Sequence, residues 1–479
     1  MFSNTQPTNN GEKIKQALQL APLLPMTISM IVGMVLSGHI PTAWLLAVLT
    51  ASIAALWLLK DCAAAQTGAI CLCFTAVGML VGGNSTKPLP DGEWSEAVVV
   101  SEVSEKPKTM MAELFLTATG ERRRCYIWKD ANSRTLHLGD ELTVRCNASF
   151  VRWDSWRRGG NGWQQLPNTE RLRVRALWLR HSMLEHYRTA EADEAQYGVL
   201  AAMTLGDKSA LTPEVRETYS VTGASHVLAL SGLHLGIIYL LLTRLTLGRR
   251  RGWLPQVFVV LAIWGFALIT GLSTSVVRSA TMISTYALFS LGGRRKASVN
   301  VLCFTAIIML LVDPQALYDI GFQLSFSAVM SILLWMPLLD RSDARPYPIR
   351  HSSSWPVLSP ILNSVKTMML VSVAAQAGTA PLVAYYFHRF STYFLLTNLV
   401  VIPVVTIILY GTVLTLVIPA LTGALMWVVG LLNDALQWMS QLPMASIDGL
   451  YPSVLQVCMV YVVIGTIYLG MRLSVKDGR

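Results

Sequence analysis

The sequence predicts a polytopic α-helical membrane protein of about twelve spans (range 10–12) with a small β-barrel inserted outside the membrane. Three observations carry that prediction. Of the 479 residues, 53% are hydrophobic and only 14% charged, well below the roughly 25% charged residues of an ordinary soluble chain. Apolar runs recur that approach the roughly 20 residues needed to cross a bilayer. A single long stretch, residues 92–180, turns polar and β-like.

In chain order, residues 1–91 hold a tail followed by three apolar runs near 20–38, 42–59 and 67–83. Lys13 and Lys15 precede the first run, but no small-residue cleavage site follows, so a cleaved signal peptide is not expected. Within 92–180, AVVVSEV, AELFLTATG, CYIW and ELTVRC alternate or carry β-branched residues, with turn signals such as HLGD between them. Several short strands in so few residues suggest a small barrel of the OB type. Residues 181–225 read as amphipathic and interfacial, with a helix over 183–205. Residues 226–471 form a multi-span region, with runs near 226–245, 254–271, 275–291, 298–312, 322–339, 360–386, 393–418, 421–440 and 453–470. Asn433 and Asp434 make 421–440 a candidate for lying in the interface instead. A short tail, 472–479, closes the chain.

Charge orients these runs. Basic clusters occur at Arg249–Arg251, at Arg294, Arg295 and Lys296, at Arg341, Arg345 and Arg350, and at Arg472 and Lys476. Placing all of them in the cytoplasm, as the positive-inside rule asks, spaces them by even numbers of crossings. Both termini are then cytoplasmic and the β-domain is external. The net charge of +10 fits either basic cytoplasmic loops or an anionic partner.

The cysteines offer no CxxC metal pair, and Cys71, Cys73, Cys303 and Cys458 lie in apolar runs. Cys125 and Cys146 lie in the polar stretch and form a candidate disulfide if that stretch faces an oxidising compartment. At its end, FVRWDSWRRGGNGWQQL interleaves Trp153, Trp156 and Trp163 with Arg152, Arg157 and Arg158. Aromatic rings among arginines can stack bases and hold phosphates of a single strand; the same residues can rest on lipid headgroups.

Polar residues recur inside the apolar runs: His226, Ser231 and His234 around Gly232, then Arg278, Gln323, Ser325, Ser327, Gln376 and Asn398. Each alone can be a helix–helix hydrogen bond; together they suit the lining of a polar path that begins outside. Serine-protease chemistry at Ser231 needs a base within reach, and His234 shares its helix, a poor arrangement for proton transfer. Without a carboxylate or thiol beside them, His226 and His234 do not suggest a metal site. No cofactor is expected, and no GxxxxGK[ST] marks an ATP site.

GDKSALTPEVRETYSVTGASHVLALSGLHLG resembles the signature of the ComEC-type competence DNA-uptake channels. GLSTSVVRSATM, DPQALYDIGFQLSFSAV and APLVAYYFHRFSTYFLLTNLVVIP match further, over roughly residues 20 to 470. The resemblance implies an inner-membrane channel that passes single-stranded DNA into the cytoplasm during natural transformation. Its candidate positions are Gly206, Asp207, His226, Ser231, Gly232, His234, Arg278, Gln323 and Ser325. Implied partners are a DNA receptor, a cytoplasmic motor or strand-binding protein, and membrane lipids. Many members continue into a metallo-β-lactamase-like domain, whereas no HxHxDH motif occurs here. Any strand degradation is therefore expected from a separate nuclease, and this chain is not expected to be an enzyme. The alternative is a transporter for another polar or anionic solute, with the β-domain as receptor or gate.

Overall fold

The computed structural model describes residues 21–37, 42–58, 63–83, 94–105, 108–117, 119–130, 133–147, 150–157, 162–188, 193–246, 253–291, 298–340 and 358–477. Three helices come first, α1 (Leu23–Val35), α2 (Thr42–Leu58) and α3 (Ala63–Gly83). Six strands follow, β1 (Trp94–Val99), β2 (Ser104–Glu105), β3 (Thr109–Leu116), β4 (Glu121–Trp128), β5 (Glu141–Asn147) and β6 (Phe150–Arg157). Next are α4 (Gly162–Gln165), α5 (Asn168–Tyr187), α6 (Glu194–Leu205), α7 (Pro213–Val221) and α8 (Ser225–Leu228). The apolar series comprises α9 (Gly232–Leu245), α10 (Trp253–Ile269), α11 (Thr274–Leu291), α12 (Ser298–Val312), α13 (Ile320–Leu339) and α14 (Leu358–Phe387). It ends with α15 (Phe394–Thr415), α16 (Thr422–Ser440) and α17 (Val454–Asp477); the short strands β7 (Arg389–Ser391) and β8 (Ser446–Asp448) pair with each other.

Each apolar run read from the sequence holds a helix. Six of them, Ala65–Gly83, Ile320–Leu339, Ile361–Phe387, Phe394–Thr415, Pro419–Ser440 and Val454–Ser474, are long and apolar enough to cross a membrane. Five shorter apolar helices accompany them, and α11 meets neither description because Arg278 and its many hydroxyl residues dilute it. The 421–440 segment is thus long enough to span, and Asn433 is accommodated there by the Tyr219 hydroxyl, which donates to its Oδ1 at 2.9 Å. Side chains such as Trp57, Leu455 and Val462 stay exposed along these helices, as lipid-facing positions would. Most of the basic clusters that orient the spans, Lys13, Lys15 and Arg158 lie outside the described residues.

The chain folds as two compact units. One comprises Met1–Thr86, Thr281–Phe390 and Ile447–Arg479; the other comprises Lys87–Ala280 and Ser391–Ser446. In the first, α1 and α3 cross at contact distance. A Cβ on Gly33 would run into the Thr75 carbonyl oxygen, and one on Gly78 into that of Met30. Backbones approach this closely in a membrane where small residues line the crossing. Met30, Met34, Leu310 and Phe322 form the core beside it. In the second unit, Val199, Met203, Tyr219, Val227, Val401, Val405 and Val429 pack α6, α7, α8, α15 and α16 together.

The second unit also carries the barrel. β1 pairs with both β5 and β3, so the order β1-β5-β6-β4-β3 closes on itself, with β2 extending β3. All pairings are antiparallel except β4 with β6. Alternate residues point inward, and Val99, Leu114, Ile127 and Val144 are fully buried in its core. Two boundaries differ from the sequence reading. Strands end at Arg157, and α5 occupies 168–187, so 92–180 is not all β-structure. The helix expected over 183–205 is two helices, α5 and α6. Buried Val174, Leu177 and Leu184 give α5 an inward stripe that the scattered charges of its sequence hide.

Candidate functional site

The chain breaks where polar residues interrupt the apolar run. α8 ends at Leu228, Ala229 is extended, and Ser231 is extended too, with φ −117° and ψ 172°. α9 then starts at Gly232. Ser231 is its N-cap, and the cap is reciprocal in kind to a Ser-x-x-Gln box. The Ser231 backbone N–H donates to His234 Nδ1 at 3.2 Å, and Ser231 Oγ lies 2.9 Å from the same nitrogen. An Nδ1 that accepts a backbone N–H carries no proton, so the ring proton sits on Nε2. That Nε2 is buried, with no hydrogen-bond partner among the described residues, in a side chain 0% exposed.

Gly232 lets a second element close in. A Cβ there would sit 2.9 Å from Ser279 Oγ on α11. Ser279 donates to the Ser275 carbonyl at 3.0 Å, and Arg278 Nη2 donates to Ser275 Oγ at 2.8 Å. Arg278 is 1% exposed, and a buried guanidinium survives only when its donors are met. Ser231, Gly232, His234, Ser275, Arg278 and Ser279 therefore belong to one unit, where Gly232 brings the α9 start against the hydroxyls of α11. His226 stands at the exposed end, its Nδ1 3.0 Å from the Gly223 carbonyl. Gly206 ends α6 in the left-handed region at φ 78°, and Asp207 Oδ1 accepts from the Ser209 N–H at 2.9 Å.

Gln323, Ser325 and Gln376 lie in the other unit. Gln323 is satisfied by protein: Nε2 donates to the Leu317 carbonyl at 2.9 Å, and the Tyr386 hydroxyl donates to Oε1 at 2.6 Å. Ser325 and Gln376 are half-buried on α13 and α14.

On the barrel, Trp153 packs against the core, and Trp163 meets Trp178 edge-on at 4.7 Å with the Arg175 guanidinium 5.8 Å from its ring centre. Neither ring lies open as a stacking platform. Arg152, Trp156 and Arg157 are on β6. Cys125 is buried on β4, and Cys146 is on β5. β6 runs between them, and two strand spacings put their backbones about 10 Å apart, beyond the ~7 Å over which a disulfide closes.

Two residues that the sequence reading passed over tie the barrel to the helices of its unit. Arg180 and Arg173 lie two turns apart on α5, each 6% exposed. Arg180 Nε donates to Glu102 Oε1 at 3.0 Å, and its Nη1 reaches the carbonyls of Leu205 and Thr270 at 3.4 Å each. Arg173 Nη2 donates to Glu113 at 2.9 Å and to the Gly271 carbonyl at 3.4 Å. Burial holds the Glu102 carboxyl above the usual carboxylate range, with Arg180 opposing and Asp207 adding to the rise. The seven-residue spacing of the two arginines was the available signal.

Apolar helices long enough to span, a closed barrel inserted among them, and a broken helix rich in polar groups define a polytopic membrane protein with a built polar region. The chain belongs to the competence protein family, whose model matches residues 203–473, more than half of the chain. It is 28% identical over 274 residues to ComE operon protein 3 of Bacillus subtilis (strain 168), covering 56% of this chain and 32% of that protein. It is 28% identical over 190 residues to competence protein ComA of Neisseria gonorrhoeae, covering 37% and 26%. An uncharacterized protein of Aquifex aeolicus is 31% identical over 214 residues, covering 43% and 45%. The matched region thus spans less than half the length of each of these curated relatives. No solved structure matches the chain.

Proposed function

We propose that this chain is an inner-membrane channel, or its core, that passes single-stranded DNA into the cytoplasm during natural transformation. The observation that carries the reading is the helix break at Ser231–Gly232. Irregular backbone at membrane depth is tolerated where protein or a water-filled cavity satisfies it. Here the break packs against α11 at Ser279, beside Ser275 and Arg278, inside the segment that matches the family. Phosphates need such a wet or hydrogen-bonding route, because naked charge in lipid is prohibitive. The strand order of the barrel, with its one parallel pairing, supports an OB-type domain, and the six long and five shorter apolar helices, together with α11, support about twelve spans.

In this reading the barrel is external, both termini are cytoplasmic, and the driving force comes from a partner motor or the membrane potential. A DNA receptor, strand-binding proteins and a separate nuclease complete the system; the chain itself is assigned no enzymatic step.

Deleting the gene, with surface-bound, nuclease-protected and cytoplasmic DNA scored separately, tests the function. The expected result is normal surface binding with cytoplasmic DNA abolished. Unchanged cytoplasmic DNA sinks the channel and favours a transporter of another anionic solute. Orientation has its own check. A single cysteine introduced near Gly160 should react with an impermeant thiol reagent in intact cells, and one near Arg250 should not; the opposite pattern reverses the topology.

A further inference from the structure

α15 starts without a cap. The first turn of a helix leaves N–H groups that have no acceptor inside it, and Tyr393, at the N-cap position, makes no side-chain bond to them. In the same unit, by contrast, the Thr212 hydroxyl accepts from the Val215 N–H at 3.3 Å and caps α7. The start of α15 is nonetheless fixed in place. The Thr392 N–H donates to the Ala445 carbonyl at 3.1 Å, and the Thr392 hydroxyl donates to the same oxygen at 3.3 Å. The Tyr393 hydroxyl donates to the Pro443 carbonyl at 3.1 Å.

Two buried hydroxyls stand beside this start with no hydrogen-bond partner among the described residues: Ser391 Oγ, 7% exposed, and Thr397 Oγ1, 0% exposed. Thr397 departs from the habit of its own helix. Thr406, Thr412 and Thr415 each donate to a carbonyl of the turn before, at 2.9, 2.8 and 2.9 Å. Thr397 makes no such bond to Tyr393. A helical Cβ tilts toward the N-terminus, so the Thr397 Oγ1, turned off that carbonyl, lies over the uncapped first turn. Ser391 stands two residues before the N-cap, and a Cβ on Gly223 would come within 3.0 Å of its Oγ. Gly223 holds φ 80°, and its carbonyl is the one that His226 Nδ1 meets. The start of α15 therefore lies beside the turn that leads into the His226–His234 stretch.

Every group in this set can donate. The N–H groups carry the positive end of the helix dipole, and a free hydroxyl rotates its hydrogen to suit an acceptor. An unpaired buried hydroxyl is costly, so two of them at an uncapped helix start mark a place for an acceptor from outside the chain. A phosphodiester has the matching chemistry. It spreads one negative charge over two free oxygens, one for the N–H groups and one for the hydroxyls. No guanidinium or ammonium belongs to the set. The anion is held by hydrogen bonds alone, weakly enough to leave again, as conduction requires.

We propose that the start of α15 is a seat for a phosphodiester of the passing strand, held by the first-turn N–H groups, Thr397 Oγ1 and Ser391 Oγ. The seat rests on the reading that this chain passes single-stranded DNA, and it adds α15 to the elements that line the route.

The test uses the full chain in maltoside micelles free of phospholipid, with melting temperature as the readout. Dimethyl phosphate, compared with chloride at equal ionic strength, should raise the melting temperature of the wild type. Thr397→Val removes the hydroxyl and nearly keeps the shape. An unpaired buried hydroxyl gives the fold nothing, so without ligand this variant should melt at or above the wild-type temperature. The dimethyl phosphate needed for a given rise should increase roughly 10- to 150-fold, the worth of one hydrogen bond to a charged group. Thr397→Ser should restore the wild-type response. Ser391→Ala should show the same loss, and it decides the matter if Thr397→Val does not accumulate. Oligothymidine should also raise the wild-type melting temperature, and raise that of Thr397→Val less. An equal response to dimethyl phosphate in the wild type and both hydroxyl-deletion variants overturns the seat and leaves the hydroxyls to buried water. A wild-type response to phosphatidylglycerol but not to oligothymidine overturns it too, and makes the place a lipid-headgroup site. Either failure, with uptake still abolished by gene deletion, leaves the channel standing. Uptake that survives deletion removes the channel whatever the micelles show.

Discussion

Replacing Arg180 with alanine is expected to lower the melting temperature of the detergent-solubilised chain by roughly 6–12 °C, the largest loss of any single substitution considered. Arg180 joins Glu102 of the barrel to the carbonyls that end α6 and α10. Breaking a buried pair from one side costs about 3–5 kcal/mol, because the other charge is left desolvated. Glu102 keeps 30% of its side chain exposed, so the lower figure applies, at about 2–4 °C per kcal/mol for a body of this size. Glu102 also sets a pH dependence. Burial raises its folded-state value above 4.5, with Arg180 opposing that rise. A carboxyl raised on folding contributes stability that is fully present below the unfolded value and is lost as pH rises through the folded one. Removing Arg180 leaves the rise unopposed, so the deficit of Arg180→Ala should be smallest near pH 4.5 and grow above it. Melting curves across that range decide the matter; a deficit that does not change with pH means the arginine acts through packing alone.

Much of the architecture was legible because hydropathy and alternation are local signals. The apolar runs each hold a helix, and the strand-like stretches AVVVSEV, AELFLTATG, CYIW and ELTVRC fall on or beside β1, β3, β4 and β5. A break at Ser231–Gly232 is compatible with the sequence, since a glycine in an apolar run permits either a non-helical turn or close helix packing; the capping role of Ser231 shows only in the structure. What stayed hidden depends on partners distant in sequence. Arg173 and Arg180 look like a solvated face of α5 until Glu113, Glu102 and the 270–271 carbonyls are brought to them. Trp153 looked like a stacking ring because nothing in its neighbourhood of arginines shows that the barrel core takes it up. Nor does any local pattern reveal that Gln323 and Gln376 fold with the first three helices while His234 and Arg278 fold with the barrel.

Changing His234 to glutamine is expected to abolish DNA uptake while sparing the fold. Most substitutions at this helix start confuse two roles. Ser231→Ala removes an N-cap, a loss of about 0.5–2 kcal/mol by itself, and His234→Ala opens a cavity at a site 0% exposed. Either can reduce uptake through protein that fails to accumulate. Glutamine separates the roles, because a Gln three residues after a capping Ser is the ordinary partner in a capping box. Its amide oxygen can accept the Ser231 N–H as Nδ1 now does at 3.2 Å. What glutamine does not reproduce is the imidazole, with its acceptor at Nδ1 and its buried N–H at Nε2 aimed away from the cap. If the ring serves only the helix start, His234→Gln keeps melting temperature, protein level and uptake near wild type. If the ring faces the route taken by DNA, melting temperature and protein level hold and cytoplasmic DNA falls to the background of the deletion strain. The second outcome is the expected one, for a packed helix end has no use for a buried donor left without an acceptor. Wild-type uptake by His234→Gln in membranes that contain it at normal levels removes His234 from the path, and with it the strongest reason to route DNA past the start of α9.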